Sequence, residues 1–140
     1  MKLVSLLFAA ALTGCGSQGV QDLPIIVELS GTDILFSWAV GPVQSLDVAS
    51  TGSSDGIESI FWGLETDYAN LIPSTVTYGV LPPGIDGITE RGTLDALISG
   101  DVYEVTASRC TPPEDQQPGT AIGTTGCWLE YDGAATFTAP

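Results

Sequence analysis

The side chains that could carry out chemistry in this chain are almost all carboxylates. Its 140 residues include 17 Asp and Glu, three Lys and Arg, and no His. Without His, the Ser-His and Cys-His nucleophile pairs and the His-ligated metal sites are excluded. Lys2 is the single lysine, so the chain beyond its N-terminus has only Arg91 and Arg109 as cations. We therefore expect no nucleic-acid binding, which needs a cluster of basic side chains.

One segment has the spacing of a serine nucleophile motif. Residues 52–56 fit the pattern G-x-S-x-G, with Ser54 at the centre. Such a serine needs a neighbouring base to take its proton, and beyond Lys2 the chain offers neither His nor Lys. We interpret this segment as a turn rich in Ser and Gly.

Carboxylate pairs are the remaining candidates for a site. Two carboxylates that flank a sugar can hydrolyse a glycosidic bond, and loop carboxylates can bind Ca²⁺. Asp86 and Glu90 follow the turn-forming residues 82–84 and are the best candidates for metal ligands, although the EF-hand pattern is absent. The alternative is an acidic surface that keeps the domain in solution. We favour that alternative, and predict no cofactor, no bound metal and no enzymatic activity.

The N-terminus predicts export and a lipid anchor. Lys2 precedes an apolar run, residues 3–12, which is about half as long as a membrane span and has the length of a signal-peptide core. The run ends Leu-Thr-Gly-Cys at residues 12–15, which resembles the lipobox of bacterial lipoproteins. The resemblance implies cleavage before Cys15 and attachment of acyl chains, palmitate among them, to that Cys. The alternative is an ordinary secretory signal followed by a chance Cys.

The resemblance to a lipobox predicts the domain boundaries and the cellular location. It predicts a signal peptide over 1–14, a lipidated Cys and tether over 15–21, and one folded domain over 22–140. Gly16 follows the lipidated Cys in place of the Asp that retains enterobacterial lipoproteins in the inner membrane. By that resemblance we expect a protein of the cell envelope, anchored in the outer membrane, whose partners are the membrane and an envelope protein or glycan.

The rest of the chain has the pattern of an all-β domain. Ile34, Phe36 and Trp38 alternate with more polar residues, as in a half-buried strand. Gly (17) and Pro (9) fall mostly between short apolar runs, which favours a sandwich or small barrel. The pattern predicts strands over 24–30, 34–38, 43–48, 57–64, 75–80, 93–98, 102–108, 127–131 and 134–138.

One segment resembles a particular kind of sandwich. Residues 97–107 resemble the fibronectin type III signature Leu-x-Pro-Gly-Thr-x-Tyr-x-Val-x-Val/Ala, with Ser99 in place of the Pro. The resemblance implies that the Tyr103 ring lies in the core while its hydroxyl bonds to the backbone a few residues upstream. It also implies that Trp38 is the core Trp and that residues 134–138 form the last strand. A plain immunoglobulin-like sandwich is the alternative.

Two cysteines remain when Cys15 is lipidated. An even pair in an oxidising compartment predicts a disulfide between Cys110 and Cys127. Closing a ring of this length contributes about 3 kcal/mol in the chain-entropy model. Two free buried thiols are the alternative.

Three functions follow from these features. The first is a lipid-anchored, non-enzymatic module that binds another envelope component or has a structural role. The second is a small carboxylate-dependent glycan hydrolase, and the third is a Ca²⁺-stabilised structural module. We favour the first.

Overall fold

The computed structural model describes residues 19–51, 60–67, 69–110 and 129–140. Within these ranges the chain forms strands and no helix, and the strands make two sheets. The predicted all-β sandwich is confirmed. The strands are β1 (Gln21–Asp22), β2 (Ile26–Ser30), β3 (Asp33–Ser37), β4 (Ser45–Ser50), β5 (Ile60–Thr66), β6 (Thr75–Thr77), β7 (Ile88–Arg91), β8 (Val102–Cys110) and β9 (Leu129–Thr138).

The larger sheet has six strands in the order β1-β9-β8-β4-β5-β7. All neighbouring strands in it are antiparallel except β1, which runs parallel to β9. Side chains along β8 alternate between the core and the outer face, as expected for an antiparallel sheet with one solvated side. The buried positions are Tyr103, Val105 and Ala107, and the partly exposed positions between and after them are Glu104, Thr106 and Ser108.

The smaller sheet, β2-β3-β6, covers the inner face of the larger one. Ile34, Phe36 and Trp38 are all buried, which confirms the face predicted from their spacing. Phe36 in this sheet contacts Phe137 in the larger sheet, with ring centroids 5.5 Å apart. The core therefore lies between the sheets, and an aromatic pair joins them.

Tyr103 has the arrangement that the sequence predicts for it. Its side chain is buried, and its hydroxyl accepts a hydrogen bond from the backbone N–H of Ile98 at 2.9 Å. The ring packs against Phe61 and Phe137, with centroids 5.2 and 6.0 Å away. Leu97 packs against the same core. This hydrogen bond fixes the segment before β8 against the strand.

The first described residues are joined to the edge of the larger sheet. The N–H of Leu23 donates to the carbonyl of Asp132 at 2.9 Å, and the Leu23 side chain is buried. The backbone of Leu23 comes so close to Gly133 that a Cβ there would lie 2.8 Å from the Leu23 carbonyl carbon. Only glycine permits this approach, so Gly133 allows the chain after β1 to enter the core.

Some strand predictions were wrong. Residues 93–98 form no strand, because Gly92 and Leu94 have φ values of +99° and +51°, which end the extended conformation. The strand lies earlier, at β7, which the sequence did not predict. The segments predicted over 127–131 and 134–138 are, in their described part, the single strand β9, while Cys127 and Trp128 lie outside the described residues.

Candidate functional site

The predicted cysteine site is only partly described. Cys15, Cys127 and Ser54 lie outside the described residues. Cys110 is buried at the end of β8. The Asn70 side chain holds its backbone at two points, because Cys110 N–H donates to Asn70 Oδ1 at 2.8 Å and Asn70 Nδ2 donates to the Cys110 carbonyl at 2.7 Å. The end of β8 is thus fixed in place. Because Cys127 lies outside the described residues, its disulfide with Cys110 stays a prediction.

The two candidate metal ligands have different surroundings. Asp86 is exposed in the turn before β7, whereas Glu90 lies on β7 opposite Leu64 of β5. The buried Trp62 indole donates to Glu90 Oε1 at 2.6 Å. Among the described residues, no group of three or more Cys, Asp and Glu side chains could hold a metal ion. The structure therefore assigns Glu90 a partner in the indole, and Trp62 itself packs in the core.

The most highly connected charged group is one that the sequence did not indicate. Arg91 on β7 forms a two-point ion pair with Asp47 on β4, and its Nε lies 2.8 Å from Asp47 Oδ1. Its Nη1 lies 2.6 Å from Glu65 Oε2 on β5. Burial alone would lower the pKa of Arg91, but the hydrogen bond and charge of Asp47 and the charge of Glu65 raise it above its ordinary value.

This ion pair reaches across an intervening strand because Gly63 has no side chain. Gly63 is the register partner of both Asp47 and Arg91. A Cβ on Gly63 would overlap the Asp47 carboxylate and would lie 2.9 Å from the Leu46 carbonyl oxygen. The guanidinium therefore crosses over Gly63 to reach β4. In the sequence, Gly63 is only an isolated Gly within a predicted strand. It indicates the ion pair only when the register of β4, β5 and β7 is known.

The second arginine is also engaged within the domain. Arg109 Nε lies 3.4 Å from Glu130 Oε2 on β9, and its Nη1 donates to the Pro42 carbonyl. Beside it, the Ser108 hydroxyl donates to Asp132 Oδ1 at 2.7 Å. Both arginines therefore connect strands and loops of the domain.

The described carboxylates are thus mostly structural or exposed. Among the described residues, the carboxylates with side-chain partners contact an indole, a guanidinium or a hydroxyl, and these contacts join neighbouring strands. In the part of the chain that the structure describes, no helix is long and apolar enough to cross a membrane. Fold and surface together define an acidic, two-sheet β-sandwich. Neither the protein-family models, nor the curated proteins, nor the solved structures contain a match to this chain.

Proposed function

We propose that this chain is a lipid-anchored lipoprotein of the cell envelope, and that its sandwich is a non-enzymatic binding or structural module. The observation that carries the proposal is the Leu-Thr-Gly-Cys sequence at residues 12–15, placed after an apolar run of signal-peptide length. The cleaved protein would begin at Cys15 and be anchored there, with the outer membrane as its location. Two or more acyl chains give stable anchoring.

The start of the fold supports a short connection to the membrane. Strand β1 begins at Gln21, so five residues separate it from Cys15. Five fully extended residues span at most about 18 Å. A domain on such a tether stays close to the bilayer, as suits a module that acts on a component of the same envelope.

The arrangement of the strands supports the resemblance to fibronectin type III modules. A three-stranded sheet from β2, β3 and β6 faces a larger sheet whose centre is β9-β8-β4-β5. The Tyr103 hydroxyl bonds to the backbone of Ile98, five residues upstream. Modules with this architecture serve many functions, so the fold alone does not identify the partner.

The strand register supports the proposed Cys110–Cys127 disulfide. Cys110 pairs with Leu129 across β8 and β9, and Leu129 follows Cys127 by two residues. A bond between the two cysteines would close the connection between these strands at its base. In the oxidising envelope, such a bond constrains the unfolded chain and stabilises the domain.

The anchor is tested by replacing Cys15. The Cys15→Ser variant should lose acyl-chain labelling and move from the detergent-rich phase to the aqueous phase in a detergent partition assay. Thr13→Ala is the matched control, because Ala at this position keeps the lipobox pattern and should leave acylation intact. A Cys15→Ser protein that remains acylated and membrane-bound contradicts the proposal.

The two alternatives are tested separately. Purified protein is incubated with peptidoglycan and other envelope polysaccharides, and turnover that is lost on replacing a specific carboxylate pair would support the hydrolase. A Ca²⁺-dependent rise in melting temperature that is lost in Asp86→Asn would support the Ca²⁺ module.

A further inference from the structure

We propose that the end of the sandwich farthest from the tether is a docking surface for a protein segment with apolar residues at its centre and Lys or Arg around them. The surface, here called the distal surface, is formed by Val80, Leu94, Ile98 and Val102. The inference deepens the proposed binding function, and it rests on the proposed anchor only for the direction in which this end points.

Strand directions place the distal surface opposite the tether. Residues 19–20 lead into β1, which runs parallel to β9 beside Tyr131 and Asp132, close to where β9 begins. Strand β8 is antiparallel to β9, so β8 ends near that point and begins with Val102 at the other end. Nine residues of strand separate the two ends by about 26 Å.

Three hydrogen-bonded segments meet at the distal end. The N–H of Tyr78, in the turn before Val80, donates to the Ile34 carbonyl at 2.9 Å. The N–H of Leu94 donates to the Phe61 carbonyl at 2.7 Å. The segment from Ile98 to Val102 is fixed by the Tyr103 hydroxyl. These bonds connect the three segments to β3, β5 and β8.

The apolar side chains on these segments face solvent. Their exposed fractions are 51% for Val80, 52% for Leu94, 61% for Ile98 and 46% for Val102. Other aliphatic residues, such as Val20 at 52%, are equally exposed. The four residues of the distal surface differ because they lie on segments that meet at one end of the sandwich, and apolar side chains grouped in this way form interaction sites. A glycan would favour exposed aromatic rings for stacking, but Trp62 and Tyr103 are buried in the core, and Phe61 and Tyr78 are partly buried against it.

Leu94 is held in a conformation that costs folding free energy. Its φ is +51°, in the left-handed region that disfavours a side chain with a Cβ. The Tyr78 hydroxyl donates to the carbonyl of the next residue, Asp95, at 3.1 Å, which helps to hold the segment. Glycine would adopt this conformation without strain, so a large apolar side chain that is half exposed here calls for a functional reason.

The acidic residues beside the distal surface favour a partner with basic side chains. Asp95 and Asp101 are exposed on the same segments. The two arginines of the mature chain form ion pairs on the larger sheet, with Asp47 and Glu65 for Arg91 and with Glu130 for Arg109. A partner with basic residues around an apolar centre would complement this surface. A second copy would bring the same acidic residues and the chain's own net charge of −14, which disfavours self-association.

The test uses photo-crosslinking in cells that make the full-length, lipidated protein. A photoreactive phenylalanine analogue replaces Leu94 or Ile98, and in the control it replaces Ile26, an aliphatic residue exposed to a similar degree on β2. We expect adducts at positions 94 and 98, and not at 26, with a protein whose crosslinked segment carries Lys or Arg beside apolar residues. Adducts with lipid, glycan or a second copy, equal adducts at all three positions, or no adducts, would overturn the proposal.

Leu94→Gly separates binding from folding. It removes the side chain and also the strain, so the variant should fold with unchanged or higher stability and bind the purified crosslinked protein at least tenfold more weakly. Wild-type binding should weaken as salt rises from 50 to 300 mM. Unchanged affinity in Leu94→Gly contradicts the surface. Failure of Cys15→Ser to release the protein contradicts only the anchor, so the two proposals fail separately.

Discussion

The hydroxyl of Tyr103 offers a sharp test of how the segment before β8 is held. Tyr103→Phe removes one oxygen atom and leaves the ring contacts with Phe61 and Phe137 unchanged. The lost interaction is the 2.9 Å hydrogen bond from the Ile98 N–H. A neutral hydrogen bond of this kind contributes about 1 kcal/mol, and a donor left without a partner in the core costs about 1–3 kcal/mol.

The surroundings of Ile98 decide where in that range the cost falls. Tyr103 is only 2% exposed, whereas Ile98 is 61% exposed. Water can therefore reach the freed Ile98 N–H once the segment relaxes. We therefore expect a loss of about 1–1.5 kcal/mol. For a domain of this size, that lowers the melting temperature by roughly 3–8 °C. Tyr103→Ala, which also removes the buried ring, should cost about 3–5 kcal/mol.

The assay is urea unfolding followed by tryptophan fluorescence, with the free energy of unfolding obtained by linear extrapolation. Tyr131→Phe is the matched control, because the Tyr131 hydroxyl makes no hydrogen bond to any residue that the structure describes. A Tyr103→Phe variant no less stable than Tyr131→Phe would refute the assignment of a stabilising role to this hydroxyl.

Three further predictions concern other parts of the domain. Gly63→Ala should lower the free energy of unfolding by about 2–3 kcal/mol, because a Cβ would overlap a carboxylate on β4, whereas the control Gly19→Ala, with open space around it, should change it little. Burial, followed by the charges of nearby groups, raises the pKa of Tyr78 to about 12 from 10.0. The folded state thus holds this proton more tightly than the unfolded chain, so its contribution to stability is complete below pH 10 and is lost as the pH rises to about 12. Urea midpoints at pH 9 and 11 should fall more in the wild type than in Tyr78→Phe, and equal falls contradict this. In unreduced, denatured protein, alkylation should add no mass at Cys110 or Cys127, and two modified thiols would exclude the disulfide.

Sequence reasoning succeeded where one strand carries its own pattern. The alternation of Ile34, Phe36 and Trp38 needs no knowledge of neighbouring strands, and neither does the spacing from Leu97 to Tyr103. A period of two was sufficient to predict the buried side of β3, whereas the burial of Tyr103 was predicted from the resemblance to the fibronectin type III signature.

Prediction failed where the outcome depends on the pairing of strands that are distant in sequence. The Arg91–Asp47 ion pair joins residues 44 positions apart, and it exists because Gly63 lies between them in the sheet. Strand β7 is an edge strand that owes its pairing to β5, whereas the sequence pattern predicted a strand over the more apolar residues 93–98. Local propensity could not reveal that Leu94 adopts a positive φ, because the conformation is imposed by hydrogen bonds to β5.

The parallel pairing of β1 with β9 determines how the domain responds to mechanical tension at its N-terminus. A pull on residues 19–20, with the distal end held, acts along the strand axis. The β1 pairing and the Leu23 hydrogen bond then share the force in shear, and Leu23 must leave the core before the strand can slide. A strand pulled sideways would instead lose its bonds one at a time. If the proposed anchor and partner hold the domain at its two ends, this edge resists unravelling in the direction of the resulting pull.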